Sequence, residues 1–290
     1  MSYRLNRRTA PYLFLLPSFA LLLVFSLIPF VQGLYFSLTD YPLLQSPKFV
    51  GLDNFARLFR DPLFVASLKN TLVYMIATVA LRVILGLAVA VALNGPLRGR
   101  VVFRAIFYLP VIAPLVTVSV IWRVIFDTYS GVLNAGLELL GIAPIPWLTS
   151  TAWAMPAVII MSVWKTFGWN TVIFLAGLQG IPQQLYEAAA IDGASKWRSF
   201  IHITLPLLRP TILLAVVTST ISASQVFDQV YVMTGGGPGY STMTLGQMVY
   251  TAGFQNYEMG YASAVSVILL LISLALTLVQ FKFLGQEVKY

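Results

Sequence analysis

Six long apolar runs along the chain reach the length that a membrane-crossing helix needs. A bilayer core requires about 20 residues of α-helix. The runs cover approximately residues 12–33, 70–93, 105–126, 153–177, 207–231 and 260–281. The third and fourth runs contain prolines, which membrane helices tolerate when neighbouring helices satisfy the freed backbone groups. The pattern predicts an all-α integral membrane protein that forms a single transmembrane domain over residues 1–290.

The composition agrees with a chain that faces lipid. Of the 290 residues, 58% are hydrophobic and only 10% are charged, whereas a soluble domain carries about 25% charged residues. So few charged groups do not cover the surface of a soluble protein of this size. The absence of cysteine excludes disulfides and thiolate metal sites.

The lysine and arginine positions predict the orientation of the helices. If the N-terminus lies inside, the inside segments hold Arg4, Arg7, Arg8, Arg98, Arg100, Arg104, Lys196, Arg198, Arg209, Lys282 and Lys289. The outside segments hold only Lys48, Arg57, Arg60 and Lys69. This asymmetry is what the positive-inside rule gives for two cytoplasmic termini. Because the basic residues are spread over several short segments, they do not indicate a nucleic-acid partner.

The predicted inside loop at residues 182–206 concentrates charge in an otherwise apolar chain. It holds Glu187, Asp192, Lys196, Arg198 and the single histidine, His202. Good helix formers follow Pro182 and stop at Gly193, which predicts one short helix. Ser195 is placed to cap a second short helix, which we expect to end before Pro206.

Two interpretations of these short helices remain open from the pattern alone. They lie passively among lipid headgroups, or they fill a groove on a soluble partner. The small surface that Ala188 and Ala189 give the first helix favours the groove, because deep lipid insertion uses Trp, Phe and Leu.

The motifs of this loop resemble the EAA loop of ABC-importer permeases. "EAAAIDGA" followed by "ITLPLLRP" fits the pattern at Glu187, Ala188, Ala189, Gly193, Ile203, Leu205 and Pro206. Further segments, among them "FVGLDNFARLFRDP", "FRAIFYLPVIAPLV" and "TGGGPGYST", are similar to the carbohydrate subgroup, to which the larger membrane subunit of the maltose transporter belongs. The resemblance extends over roughly residues 11–285. It implies the type I ABC-importer permease fold, with six transmembrane helices and both termini in the cytoplasm, in the inner membrane of a prokaryote.

A coupling helix is the first consequence of this resemblance. In the family, the first short helix of the loop docks in a cleft of an ATPase subunit and carries its closure into the membrane. The resemblance assigns this role to Glu187, Ala188, Ala189, Asp192 and Gly193. The residue types agree, since alanines allow close approach, Glu187 offers a charge-assisted contact and glycine turns without steric cost.

The resemblance also implies a set of partners. These are a second related permease, two copies of an ATPase subunit, an extracytoplasmic solute-binding protein, and a mono-, di- or oligosaccharide as substrate. We expect the chain to have no enzyme activity and no cofactor of its own, with ATP and magnesium used by the partner ATPase. The glycine-rich "TGGGPGY" at residues 234–240 is no phosphate loop, because it lacks the Lys-Ser/Thr ending and follows no strand. His202 has no second histidine for a metal pair, so a packing role is expected.

Two polar stripes are the candidates for the solute pathway. In the fourth run, Ser162, Lys165, Thr166 and Trp169 recur at helical spacing and share a face. In the fifth, Ser219, Ser222 and Gln225, continued by Gln229, form another stripe. Hydroxyls and an aromatic ring on one face suit a sugar. The alternative is that both stripes make hydrogen bonds between helices of the bundle.

The resemblance sharpens this assignment. In the maltose permease, sugar contacts come from the same two spans, at positions that match Ser162, Lys165, Thr166, Trp169, Ser219, Ser222, Ala223 and Val226. Asparagines dominate those contacts, and none stands at these positions here. The resemblance therefore implies a shared cavity without specifying maltose.

Charged residues inside the runs raise an alternative substrate. The four are Arg82, Arg123, Lys165 and Asp228, and charge at membrane depth normally faces protein or a water-filled cavity. Arg123 and Asp228 lie near the outer ends of their runs, where snorkelling explains them. Glycerol-phosphate importers use permeases of this subgroup, and Lys165 with Arg82 would serve such an anion. A stand-alone secondary transporter is a remote alternative, because the chain shows no inverted pair of interrupted helices.

Overall fold

The computed structural model describes residues 10–95 and 98–285, which form two compact units. The smaller unit lies within Met1–Asp61 and Val249–Ile268, and the larger within Pro62–Met248 and Leu269–Tyr290. Part of the orientation prediction falls outside the described residues, at Arg4, Arg7, Arg8 and Lys289. Apart from two short strands, the regular elements of these described residues are helical, which confirms the all-α prediction.

An apolar helix opens the smaller unit. It comprises α1 (Ala10–Leu22), a π-helical turn (Leu23–Leu27) and α2 (Ile28–Phe36). None of the residues from Tyr12 to Phe36 is buried. A helix that is apolar on all sides belongs in lipid or against other protein.

A small folded segment follows this helix. The strands β1 (Thr39–Asp40) and β2 (Lys48–Phe49) pair antiparallel, and α3 (Asp53–Leu58) comes next. Asn54 holds these pieces together, because its Nδ2 donates to the carbonyls of Ser37 and Thr39 at 3.0 and 2.8 Å.

The same unit also contains a charged cluster. Arg57 forms a bidentate ion pair with Glu258, with Nη2 and Oε2 3.0 Å apart. Its guanidinium lies 4.3 Å from the ring centre of Tyr261, and the Tyr261 hydroxyl donates to Asp61 at 2.6 Å. The cluster fixes the segment after β2 to the start of the last helix, α15 (Met259–Leu284), which continues into the larger unit.

The larger unit is built on two long helices, α4 (Pro62–Asn94) and α8 (Ala154–Gln179). They approach closely at Gly86, where an added β-carbon would lie 2.7 Å from the Asn170 β-carbon. α4 begins eight residues before the predicted residue 70. The predicted start is late because the polar residues Ser67, Lys69 and Asn70 interrupt the apolar run. Asn70 has tertiary partners, since its Nδ2 donates to the Tyr240 and Met243 carbonyls at 2.8 and 2.9 Å.

The predicted span at 105–126 is bent. The segment forms α5 (Arg100–Ile112) and α6 (Leu115–Ile125), which bend by 97° at their junction. Pro114 is the cause, because proline disfavours the helical conformation of the residue before it. Ala113 is accordingly extended, with φ −62° and ψ 141°.

An ordered loop joins α6 to α8 and includes α7 (Val132–Leu139). Asp127 opens this loop as a local cap. The backbone N–H of Ser130, its hydroxyl and the N–H of Tyr129 all donate to the carboxylate. These hydrogen bonds, led by that from the Ser130 backbone, lower the pKa of Asp127, because they stabilise its charged form.

After α8 the chain forms the charged loop and then bends. Its elements are α9 (Gln183–Ile191), α10 (Lys196–Ser199), a π-helical turn (Phe200–Thr204), α11 (Leu205–Leu207) and α12 (Arg209–Ser224). We expected the second short helix to end before Pro206, and this is wrong. The helical segment runs on to Leu207 and then bends by 66° into α12. The π-helical turn allows this, because the Leu205 N–H donates to the Phe200 carbonyl. The next residue, Pro206, has no N–H that would need an acceptor.

The predicted span at 207–231 is also interrupted. α12 stops at Ser224 and is followed by α13 (Asp228–Met233) and α14 (Leu245–Tyr250). Tertiary contacts hold the break, because the hydroxyl of Thr244 donates to the Val226 carbonyl at 3.0 Å. Gly246 packs against the same carbonyl, which lies 2.5 Å from the position of an added β-carbon.

Membrane-crossing length is reached by four continuous helices and two bent pairs. The continuous helices cover Tyr12–Phe36, Pro62–Asn94, Ala154–Gln179 and Met259–Leu284. The bent pairs are Arg100–Ile112 with Leu115–Ile125, and Lys196–Leu207 with Arg209–Ser224. The described chain thus holds four candidate spans, or up to six if each bent pair is one span.

Candidate functional site

A cavity of about 350 Å³, lined mainly by residues that carry a polar group, lies among α4, α5, α8 and α12. Its lining is Arg82, Val111, Thr166, Trp169, Asn170, Thr218, Ser219 and Ser222. Four residues of the two predicted stripes meet here, which are Thr166, Trp169, Ser219 and Ser222. The cavity therefore offers hydroxyls, an amide, an aromatic ring and one guanidinium.

The other residues of the stripes lie elsewhere. Ser162 is buried and does not line the cavity. Gln225 lies just past the end of α12 with its side chain exposed, because the helix breaks before the stripe continues. The two positions added by the resemblance, Ala223 and Val226, are buried in the apolar core.

Lys165 binds backbone carbonyls of α5 and does not line the cavity. Its Nζ donates to the carbonyls of Pro110 and Val111, both at 3.3 Å. These carbonyls belong to the last turn of α5, where the extended Ala113 and the missing N–H of Pro114 leave them without helical donors. A cation at a helix C-terminus also interacts favourably with the helix dipole. Lys165 therefore caps α5 from the neighbouring helix.

Asn170 is a lining residue that the sequence analysis missed. Its Nδ2 donates to the Ser219 hydroxyl at 3.0 Å, and that oxygen lies 3.3 Å from Asn170 Oδ1. The signal was present, since Asn170 stands four residues after Thr166 and so continues the predicted face. Ser219 thus serves both the cavity wall and a bond between helices.

Arg82 is the charged group of the cavity. Its side chain is only 4% exposed, and its Nε is buried without a hydrogen-bond partner among the described residues. Tyr74, about two helical turns earlier on α4, lies beside it and accepts a hydrogen bond from its guanidinium. None of the lining residues is acidic.

The predicted coupling helix is α9, and its end has a defined geometry. The N–H of Ala194 donates to the Ala189 carbonyl at 2.8 Å and that of Gly193 to Ala190 at 3.1 Å. With Gly193 at φ +76°, this is the Schellman arrangement that closes a helix. A second helix follows as predicted, capped by the Ser195 hydroxyl, which accepts from the Arg198 N–H.

The residues assigned to coupling face outward on this chain. Glu187, Ala188, Asp192 and Gly193 are exposed, and Ala189 is partly buried. Beneath α9 the Tyr186 hydroxyl lies 2.9 Å from Thr204 Oγ1, which ties the helix to the segment that leads into α12. Within the described part of the chain, the contact of His202 is local, with its Nδ1 3.0 Å from the Arg198 carbonyl oxygen.

Comparison with known proteins identifies the family. Residues 82–284 match the family described as the inner membrane component of binding-protein-dependent transport systems. The chain belongs to this family. The matched residues include the cavity, the predicted coupling helix and α15, so both candidate sites of this permease lie inside the region that defines the family. The resemblance drawn from the EAA loop is thereby confirmed.

Relatives with described transport systems extend the comparison. The permease is 39% identical to the trehalose/maltose transport system permease protein MalF of Thermococcus litoralis, over 93% of this chain and 92% of that protein. It is 37% identical to the sn-glycerol-3-phosphate transport system permease protein UgpA of Yersinia pestis, over 97% and 95% of the two chains.

A solved structure supports the fold. The permease aligns with a chain of a bacterial ABC transporter involved in the import of the acidic polysaccharide alginate, with a TM-score of 0.85 and 25% identity. The alignment covers 98% of this chain and 97% of the other. The fold is therefore that of an ABC-importer permease.

Proposed function

We propose that this permease is a transmembrane subunit of a binding-protein-dependent ABC importer that carries a sugar or a sugar-like polyol by alternating access. The observation that carries the proposal is the combination of two features on one chain. A hydroxyl-rich cavity lies within the helix bundle, and an exposed helix closed by Gly193 lies in the loop between α8 and α12.

The cavity has the chemistry that a polyol requires. Thr166, Ser219, Ser222 and Asn170 offer hydrogen bonds to hydroxyl groups, and Trp169, which is 49% exposed, offers a ring face for stacking. These are the residues that we assign to the solute pathway. Ser162, Lys165 and Gln225 lie off this wall, and we leave them out of direct solute contact.

The loop supports a partner-driven mechanism. We assign Glu187, Ala188, Ala189, Asp192 and Gly193 to docking on an ATPase, because their exposed small surface permits close packing with a soluble protein. In this proposal ATP and magnesium are bound by the ATPase, two copies of which clamp on this chain and on a second related permease. A solute-binding protein delivers substrate to the outer face.

The proposed topology treats each bent helix pair as one span. The result is six spans in one permease domain, with both termini in the cytoplasm of a prokaryotic cell and the protein in its inner membrane. The charge asymmetry between inside and outside segments supports this orientation.

Copurification tests the proposal most directly. The chain, tagged and produced at its native level, is solubilised gently, and its partners are identified by mass spectrometry. A second permease together with an ATPase is the expected result. A lone chain that moves solute into liposomes without ATP contradicts the proposal and favours the secondary-transporter alternative.

A glycerol-phosphate importer is the second candidate. It is supported by Arg82 on the cavity wall and by the 37% identity to UgpA. ATP-dependent uptake of labelled glycerol 3-phosphate, measured beside a labelled neutral sugar, separates the two candidates.

A further inference from the structure

The charge of Arg82 has no counterion where the structure places it. The side chain lies in the middle of α4 and is 4% exposed. Helices α4, α5, α8 and α12, which enclose the cavity, contain no aspartate or glutamate over their described lengths. Tyr74 gives the guanidinium a hydrogen bond but no opposite charge. A buried cation without a counter-charge is costly, and ionisable groups at membrane depth normally mark a pairing or a pathway.

Arg82 and Lys165 are the buried cations of the described residues, and they differ in what they leave for a ligand. Lys165 is bound by the carbonyls of Pro110 and Val111 and does not line the cavity. Arg82 does line it, and its Nε has no partner among the described residues. The unsatisfied donor and the unneutralised charge therefore coincide on one side chain at one cavity.

The neighbours of Arg82 define the rest of the ligand. The hydroxyls of Thr166, Ser219 and Ser222 and the Trp169 ring share the wall with it. An arginine fork binds carboxylate and phosphate groups in a bidentate manner, while the hydroxyls suit a polyol. The volume of about 350 Å³ lies within the range of small-molecule sites.

We propose that the solute is an anionic polyol, such as an acidic sugar or a phosphorylated polyol, and that Arg82 binds its acidic group. This inference rests on the proposed transport function and adds the charge of the substrate. Arg82 determines specificity, while the hydroxyls and the ring bind the polyol body.

The test compares uptake by cells that express the complete importer. The labelled probes are galacturonate, glycerol 3-phosphate, galactose and lactose, so that the first two distinguish a carboxylate from a phosphate. We expect uptake of at least one anionic probe to exceed that of both neutral probes. Arg82→Gln should lower anionic uptake by about 30-fold or more, which is the lower end of the cost of removing one partner of a buried charge pair. Arg82→Lys keeps the charge but loses the bidentate fork. Its anionic uptake should lie between that of the wild type and that of Arg82→Gln.

Arg123→Gln is the matched control. It removes one positive charge from an exposed residue at the end of α6, away from the cavity lining, and should leave uptake unchanged. Copurification of the second permease and the ATPase with each variant excludes a failure of assembly.

The outcomes separate this inference from the proposed function. ATP-dependent uptake of neutral probes alone, or anionic uptake that Arg82→Gln leaves intact, overturns the anionic substrate and keeps the importer. The absence of ATP-dependent uptake of every probe, with no acidic solute found on the copurified binding protein, counts against the anionic substrate. The failure of any ATPase to copurify overturns the importer function itself.

Discussion

Asn170 of α8 and Ser219 of α12 join the two helices at the cavity wall, with Asn170 Nδ2 donating to Ser219 Oγ at 3.0 Å. Both side chains are buried. The pair shows that the two interpretations of the polar stripes are compatible, because one hydroxyl contributes to a cavity wall and to helix packing at once.

A double-mutant cycle on this pair should reveal coupling. Ser219→Ala leaves the buried Asn170 amide without its partner, and we expect the free energy of unfolding to fall by about 1–2 kcal/mol. Asn170→Ala and the double variant complete the cycle, with an expected coupling energy of about 0.6 kcal/mol, typical of hydrogen bonds in membrane bundles. Thermal unfolding in detergent measures all three. A coupling of zero would mean that the bond does not persist in the folded protein.

Trp169→Ala should weaken solute uptake more than assembly. The exposed ring forms part of the cavity wall, and a lost stacking surface removes binding without opening the core. Trp169→Phe keeps a ring and should retain most of the uptake. Transport assays on both variants, with copurification of partners as the assembly readout, check this. Equal uptake by all three proteins would remove Trp169 from the pathway.

Lys165→Met should affect stability before it affects specificity. The substitution keeps the length of the side chain but leaves the Pro110 and Val111 carbonyls without their donor. We expect the free energy of unfolding to fall by about 1–3 kcal/mol, the usual cost of a buried unsatisfied polar group. Lys165→Arg should preserve part of the cap. If Lys165→Met unfolds at the wild-type temperature but changes solute preference, the lysine acts on the solute and not on α5.

Gly193→Pro should leave the protein membrane-inserted while abolishing ATP-coupled transport. Proline cannot adopt the φ of +76° that the Schellman turn requires, so α9 would lose its C-terminal closure. Gly193→Asn is the control, because asparagine tolerates the left-handed region and nothing lies within 4 Å of an added β-carbon. Normal transport by the proline variant would argue strongly against a coupling role for this helix.

Gly168→Ala should destabilise the larger unit. An added β-carbon would overlap the Phe107 carbonyl oxygen on α5, and both partners are held by their helices. Overpacking of this kind costs about 1–3 kcal/mol or more. Gly33→Ala on α2, where nothing lies within 4 Å, is the matched control. Equal thermal stability of the two variants would show that α5 and α8 are less closely packed than the structure indicates.

The sequence predicted features that depend on local chemistry. The turn at Gly193 and the Ser195 cap followed from residue types within a few positions of each other, and both are present. The apolar runs also predicted where the helices lie. A lipid-facing segment must satisfy its own backbone hydrogen bonds, and an α-helix does so within the segment.

Features that depend on distant contacts were not predictable in this way. The end of α12 is held by Thr244, which lies far along the chain from Ser224, so the polar stripe seemed to continue to Gln225. The function of Lys165 required knowing that Pro114 breaks α5 and that the freed carbonyls face α8. A stripe of polar residues on one helix does not tell which of them meet a cavity and which meet another helix.

The attachment of α8 to α5 has a mechanical consequence. Two contacts with α5 lie about one turn apart on α8. Gly168 packs against Phe107, and Lys165 donates to a carbonyl at the end of α5. A single contact would act as a pivot, whereas two fix the rotation of one helix on the other as well as their separation. α8 leads through Gly180 directly into α9. If an ATPase docks on α9, as we propose, a movement of α9 tilts α5 and α8 together, and the cavity wall that they share moves with them.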